Sequence, residues 1–435
     1  MKTAGIICEY NPFHTGHARH IEETRERLGA DAAIVCVMSG NFVQRGDFAV
    51  FRKHARAETA VRCGADLVVE LPAPYALQSA EKFAAAGVSI LDSLGVCDYI
   101  SFGSESGDIE ALREAAGVIV SAQADTLIKE WAGKGLAYAA ARQKAADSLL
   151  GKRAEVFLSP NNLLGIEYLK ALAAAGSSLS PLTIKRTGAA HDSETGCSAS
   201  ALRKMLAGIQ GVSGSGAYER SGTHRDTVPL SSLLPGSVPK VAAMVYMEEI
   251  AAGRGPVTMK ACESAMLSRL RIFSDFTNLA DASEGLGCRF ARYARSEPAI
   301  EKILAKVKTK RYAMSRLRRM MVCACLGITA KDTAEPPPYI RILAMNRTGM
   351  RLIKAAREKT QTPIITKPAS AHKLSGRAEY IFSMEAAATD FYTLAYQNEN
   401  ERGGSQEWRI SPVVSGKHTG DQDGVWTAPG SNQPR

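Results

Sequence analysis

The stretch Gly5-Ile-Ile-Cys-Glu-Tyr-Asn-Pro-Phe-His-Thr-Gly-His-Ala-Arg-His-Ile21 decides how this chain is read. Its front end completes a short apolar run, Thr3–Cys8, broken at once by polar residues and Pro12. Its back end opens a periodic segment with Ala18, Ile21, Thr24 and Leu28 on one side, so the order is strand, loop, helix. The rhythm then repeats. Residues 31–40 form an apolar strand and 53–64 a helical segment; 66–72 and 79–95 give the next pair, and 99–105 a fourth strand with its loop. Near-continuous apolar strands alternating with helices predict an α/β fold with a mostly parallel, helix-covered sheet. Ligands in such sheets sit beyond the carboxyl ends of the strands.

After an Ala-rich helical stretch at 108–150, residues 154–176 read as strand, polar loop and helix. A further strand is expected at 178–188, and a helix at 198–208 capped by Ser198 or Ser200. The segment 207–237 is rich in Gly, Ser and Pro and reads as a linker or loop. From 238 to 397 the pattern is mainly helical, with two breaks at 335–349, where a strand can form, and 362–367. Residues 398–435 carry few clustered apolar side chains and are expected to be a disordered tail. The predicted organisation is a nucleotide-binding domain at 1–206, a linker at 207–237, a helical domain at 238–397 and the tail.

Composition narrows the class. The 435 residues are 45% hydrophobic and 23% charged, ordinary for a globular protein. With 37 Gly and 18 Pro and no period, a fibrous protein is excluded. Nine cysteines stand without any CxxC spacing, which argues for unpaired thiols in a reducing compartment and against zinc. No run of eighteen apolar residues is present, and the opening residues turn polar too soon for a secretory signal, so a cytoplasmic protein without membrane contact is expected. The formal charge of +10 suits a polyanionic partner but says nothing of where it binds. Residues 306–319, KVKTKRYAMSRLRR, localise it: seven Lys or Arg and no acid, around Tyr312. Lys306, Lys308, Lys310, Arg311, Arg316, Arg318 and Arg319 on a helix would face RNA phosphate, while Leu317, Met321 and Cys325 form its buried stripe. Lys367, His372, Lys373 and Arg377 can extend that surface.

His14 and His17 lie three apart where strand one gives way to helix one, with Gly16 between them. A helix N-terminus offers unpaired N–H groups and the positive end of its dipole, a seat for phosphate. Two imidazoles on one face can donate to oxygens where charge develops. His20 continues the spacing but reads as a solvated helix residue. Neither HExxH nor a Walker GxxxxGK occurs, which disfavours zincin and P-loop chemistry. Ser39, Gly40, Asn41, Gln44 and Arg45 form the loop after the second strand and can line an acetate or cytidine pocket. Arg52, Lys53 and Arg56 are solvated helix charges or RNA contacts; Glu70 orients a neighbour or caps its loop.

The HTGH element resembles the HxGH signature of nucleotidyltransferases and class I aminoacyl-tRNA synthetases. More closely, GIICEYNPFHTGHARHI, MSGNFVQRGDFAVFRKHARAETAVRCGADLVVELP, FGSE, SPNNLLGIEYLKAL and KTKRYAMSRLRRMMVCACLGI, in this order over roughly 1–395, resemble the bacterial tRNA(Met) cytidine acetate ligase family. The resemblance implies a Rossmann-like nucleotidyltransferase fold and an ATP-dependent ligase. Such an enzyme forms acetyl-adenylate and pyrophosphate, then acetylates N4 of the wobble cytidine of elongator tRNA(Met). It implies ATP with Mg2+, acetate and tRNA as ligands, with no dedicated metal site and no stable protein partner evident. By position the ATP stretch comprises Ile7, Cys8, Glu9, Tyr10, Asn11, Pro12, Phe13, His14, Thr15, Gly16, His17, Ala18, Arg19 and His20. Gly103, Asn161 or Asn162, and Arg186 complete it, with Arg203 of the 198–203 segment near the phosphates. His17, then His14, would stabilise the charge that develops. The family's aromatic position before His191 and Asp192 is Ala190 in this chain. Three alternatives compete: a small-metabolite nucleotidyltransferase, which leaves the basic block unexplained; an RNA-binding protein with a degenerate site, against which the intact histidines count; and acetyl-CoA as acetyl donor, for which the paired histidines are less suited than for a triphosphate.

Overall fold

The computed structural model describes residues 1–186, 198–212, 218–220, 236–283 and 285–416; the segment with Ala190, His191 and Asp192 and most of 207–237 lie outside them. Five parallel strands form the body of the sheet: β1 (Thr3–Cys8), β2 (Ala33–Ser39), β3 (Leu67–Leu71), β4 (Tyr99–Ser104) and β5 (Ser180–Lys185). Their spatial order is β3-β2-β1-β4-β5. Helices α1 (Thr15–Leu28) and α2 (Lys53–Arg62) cover one face; α3 (Ala80–Leu94) and α4 (Pro160–Ala175) cover the other. The strands alternate between these layers: Ile6, Cys36 and Val68 face α1 and α2, whereas Ile7, Val37 and Val69 face α3 and α4. Every residue of β2 and β3 is buried, which is why their sequences are almost wholly apolar. Strand order reverses between β1 and β4, so a crevice opens there at the carboxyl ends, the usual ligand position in an open α/β sheet.

The sheet does not end with the first domain. Strand β6 (Ile340–Met345) pairs antiparallel with β3, and β7 (Ile364–Ile365) and β8 (Val413–Val414) pair with β6. The break in the helical pattern at 335–349 is thus a strand, and it belongs to the same sheet as residues 1–206. A separate apolar core gathers the helices from 257 to 328 with α8 (Gly376–Thr393), and Phe42, Phe48 and Leu77 of the first half pack into it. Among these helices is α7 (Met314–Leu326).

Two expectations are corrected. Residues 154–158 are not a strand: Gly151–Leu158 is a 3-10 helix, with Ala154 and Phe157 packed inward three apart, and Pro160 begins α4 at a position where its missing N–H costs nothing. The expected disordered tail is built into the fold as far as Gly416. Trp408 stacks on His372 and meets Phe382 edge-on, and β8 adds to the sheet. Glu407 enters a buried ionic cluster: the Lys53 ammonium lies 2.6 Å from Glu70, 2.9 Å from Glu385 and 2.6 Å from Glu407. Burial alone would lower the Lys53 pKa, but these carboxylates drive it up; burial and Glu385 push Glu70 well above the usual carboxylate range. Arg341, also fully buried, lies 4.0 Å from Glu407, so a second cation borders the same cluster.

Removing one member of a buried ionic cluster costs about 3–5 kcal/mol. Lys53→Met is expected to lose stability on that scale in urea unfolding, and the triple change with Glu385→Gln and Glu407→Gln is expected to recover part of it. A loss below about 1 kcal/mol, the range of exposed pairs, would contradict the assignment.

Candidate active site

The site assembles where β1 ends. Tyr10 adopts a left-handed backbone (φ 45°), and the turn through Asn11 and Pro12 is held from several sides. Asn11 Oδ1 accepts the Val50 N–H at 2.8 Å, and its carbonyl accepts Arg203 Nη1 at 2.7 Å. Arg203 comes from α5 (Ala199–Ala207), whose first turn is capped by Ser198 rather than Ser200. Tyr246 of α6 (Lys240–Ala251) accepts the Phe13 N–H through its hydroxyl oxygen at 2.8 Å and stacks on Phe51.

His14 is the N-cap of α1, and its Nδ1 accepts the Gly16 N–H at 3.1 Å. His17, one turn on, accepts the His14 N–H at its own Nδ1, 3.3 Å away. The two rings stack at 3.8 Å between centroids, and Tyr10 and Phe13 flank His17. Burial, then Arg186 and Arg203, lowers His14 to about 4; burial, then His14 and Arg186, holds His17 well below its usual value. Both imidazoles are therefore neutral at pH 7. Because each Nδ1 is an acceptor, each Nε2 carries the hydrogen, giving two neutral donors. The expectation of unpaired helix-end N–H groups is corrected: Thr15 N–H bonds the Ser237 carbonyl, Gly16 N–H bonds His14 Nδ1, and His17 and Ala18 bond the His14 carbonyl. The donors left facing outward there are those of the imidazoles and the arginines instead.

His20 is not a solvated residue. It is half-buried, with Nε2 3.0 Å from Ser101 Oγ, and burial followed by Arg186 lowers it to about 4. Arg186, exposed at the end of β5, lies close enough to all three histidines to act on their protonation. A Cβ on Gly103 would sit 3.2 Å from Arg186 Cγ, so the missing side chain makes room for this arginine. Asn161 and Asn162 are in the first turn of α4 and serve the neighbouring loop: Glu105 accepts N–H groups from both, and Asn162 Oδ1 accepts those of Glu105 and Ser106. Glu105, within the FGSE stretch, is the partner that holds both asparagines, a role sequence reasoning missed.

The loop after β2 is placed differently from expectation. Ser39, Gly40 and Asn41 are buried, and Asn41 spends its amide on Thr389 and the Lys53 N–H. Gln44 and Arg45 remain toward the site: the Gln44 N–H donates to Glu9 Oε1 at 2.6 Å, and Arg45 is exposed. Neither Lys53 nor Arg56 is solvated. Arg56 is fully buried and donates to the carbonyls of Glu9, Ser39, Gly40 and Phe51, tying the ends of β1 and β2 together. Arg52 pairs with Glu249.

The basic block is split. Helix Ile300–Val307 ends two residues into it, and α7 begins at Met314. Lys306, Lys308, Lys310, Arg311 and Arg318 are exposed, although Lys308 Nζ also donates to the Tyr312 carbonyl. Arg319 is a correction: it is 7% exposed and paired with Asp281 at 2.7 Å, so it does not face a partner. Arg316 is half-buried against Asp281 and Ser283. Leu317, Met321 and Cys325 are buried as read. Lys367, His372 and Lys373 are exposed, while Arg377 bonds the Pro336 carbonyl. Gly46 joins this block to the site: at φ 75° it lies so near α7 that a Cβ would meet the Arg319 backbone nitrogen at 2.3 Å. Every cysteine among the described residues is a free thiol, and among them no group of three or more His, Cys, Asp or Glu could hold a metal.

Neutral folded-state imidazoles have a pH consequence. Between pH 6.5 and about 4 the unfolded chain binds protons that folded His14 and His20 refuse, so stability is expected to fall as acid is added across that window. At pH 7, ¹⁵N NMR is expected to show His14 and His17 as neutral Nε2–H tautomers. A titration midpoint near 6.5 for either would contradict the capping geometry.

Comparison with known proteins places the chain. Residues 1–407 match the family described as HIGH Nucleotidyl Transferase. The tRNA(Met) cytidine acetate ligase of Acetivibrio thermocellus is 37% identical over 431 residues, covering 95% of this chain and all of that protein. The protein of the same name from Caldanaerobacter subterraneus is 38% identical over 410 residues, covering 92% of this chain and 96% of the relative. The crystal structure of Thermotoga maritima TmcAL bound with alpha-thio ATP superposes with a TM-score of 0.83 at 31% identity, across 96% of this chain and 100% of that one. The chain belongs to the tRNA(Met) cytidine acetate ligase family of HIGH nucleotidyltransferases.

Proposed function

We propose that this protein joins acetate to ATP as acetyl-adenylate, releasing pyrophosphate, and passes the acetyl group to N4 of the wobble cytidine of elongator tRNA(Met). The observation that carries the first step is the pair of neutral imidazoles, both with Nε2–H, beside Arg186 and Arg203 at the switch point of the sheet. Acetate oxygen attacks the α-phosphorus, and pyrophosphate leaves. No side-chain nucleophile is required; fixed donors placed where charge develops do the catalysis. His17, flanked by aromatic rings, is the stiffer donor, and His14, buried at the helix cap, adds the second. Arg186 and Arg203 supply the positive charge that neutral imidazoles lack. Magnesium enters with ATP as part of that substrate, neutralising its phosphates.

For the second step, the cytidine leaves its stack and its amine meets the activated acetyl carbon. Lys306, Lys310, Arg311 and Arg318 form the cationic surface for the tRNA backbone. The close packing of Gly46 on α7 favours this reading over a small-metabolite nucleotidyltransferase, because it fixes the basic surface to the rim of the nucleotide site. Among the described residues no helix is long and apolar enough to cross a membrane, and we place the enzyme with its tRNA in the cytoplasm.

Incubation with ATP, labelled acetate and separate tRNA species tests the reading: pyrophosphate release and N4-acetylcytidine are expected only with acetate, and modification only of elongator tRNA(Met). Their absence from active protein would refute it. His17→Ala is expected to lower adenylate formation by about 10²–10³-fold, the cost of one such donor, with little change in tRNA affinity. Replacing Lys310, Arg311 and Arg318 together is expected to do the reverse, and parent affinity for tRNA to fall steeply with salt.

A further inference from the structure

Acetyl transfer releases a proton from the attacking amine, and the donors described so far cannot take it. His14 and His17 each use Nδ1 to accept a backbone N–H and keep the hydrogen on Nε2, so neither has a lone pair to spare. Arg186 and Arg203 are cations. Burial raises the Cys8 thiol and the Tyr10 hydroxyl well above their ordinary values. The carboxylate of Glu105 is spent on the N–H groups of Asn161 and Asn162. One carboxylate remains at the end of β1.

Glu9 immediately follows β1, two residues before the Asn11 turn and at the switch point between β1 and β4. Its main-chain carbonyl is held by Arg56 and its Oε1 by the Gln44 N–H at 2.6 Å, so the carboxyl group is fixed between the first-strand and second-strand loops. That leaves its second oxygen for a ligand. Burial raises the Glu9 pKa, while Gln44, Arg203, Arg56 and Arg45 pull it back. Such a carboxyl group is a better proton acceptor than a solvated one.

We propose that Glu9 is the general base of the acetyl-transfer step. This rests on the function proposed above. The cytidine N4 attacks the acetyl carbonyl carbon and a C–N bond forms. The bond from that carbon to the adenylate phosphate oxygen breaks, AMP leaves with the electron pair, and the N4 proton passes to the free Glu9 oxygen and then to solvent. Atoms and charge balance without a further reactant. Asp47 is the nearest competitor, but its Oδ1 accepts the Phe48 N–H and its Oδ2 faces Arg318 at 4.0 Å, on the side of the basic helix.

Glu9→Gln is the informative change, because a glutamine Oε1 still accepts the Gln44 N–H and keeps the loop in place. Two reactions are compared on the full chain: acetate-dependent ATP–pyrophosphate exchange, and single-turnover transfer from preformed acetyl-adenylate to elongator tRNA(Met). Because Glu9 lies within the ATP stretch, exchange is expected to fall to some degree but far less than transfer, and tRNA affinity to stay near that of wild type. Transfer is expected to fall by about 10²–10⁴-fold, the usual worth of a general base, and to lose the rise with pH that wild type shows. Loss of both reactions together would overturn the proposal and make Glu9 part of the ATP or metal contacts. Unchanged transfer, or the same split in Asp47→Asn with Glu9→Gln normal, would overturn it as well. If wild type itself shows no acetate-dependent exchange, the functional reading fails first and this inference with it.

Discussion

A single ammonium group, that of Lys53, holds the two halves of the chain in register. It sits out of water among carboxylates from β3, α8 and the 406–408 turn. Charges so placed cannot be left unmatched, so these segments must meet at one place and in one order. One turn along the same helix, Arg56 reaches the other way and gathers the carbonyls at the ends of β1 and β2. Helix α2 therefore fixes the C-terminal elements with one side chain and the loops after β1 and β2 with the next. The position of the site follows from this pair.

The hydrogen bonds that begin helix α1 also determine the chemistry. A capping side chain normally only satisfies N–H groups left over at a helix end. Here the caps are imidazoles, and the act of capping assigns their tautomers. The result is a donor pair that burial keeps neutral and that stacking keeps rigid. Positive charge is delegated to arginines from β5 and α5, which arrive from much later in the chain. Fold and reactivity therefore rest on the same contacts, and the residues that cap cannot also act as bases.

Much of this was legible in the sequence. Apolar runs separated by helical periodicity predicted β1 to β5 and their helices, most sharply β2 and β3, where burial on both faces leaves few polar positions. The paired histidines were legible because their place between strand and helix is a local matter. Other residues misled. Lys53 and Arg56 read as solvated charges, since nothing near them in the chain shows their partners. Arg319 read as part of a cationic face, although Asp281 takes it inside. Residues 398–416 read as a tail because one tryptophan, one buried glutamate and a two-residue strand leave little periodic signal.

The sequence by itself determined the parallel sheet, the nucleotide loop at its first strand and the concentration of positive charge at 306–319. Each depends on spacing within a dozen or so residues, where side-chain periodicity and helix-end geometry act directly. Only the tertiary structure decided which charges are buried, which face of the basic block remains outside, and that β6 to β8 complete the sheet. It also decided that the helix end is already satisfied, so only side chains are left to meet an anion there. These are outcomes of long-range pairing: the free energy of a charge or an N–H group depends on what the rest of the chain brings to it.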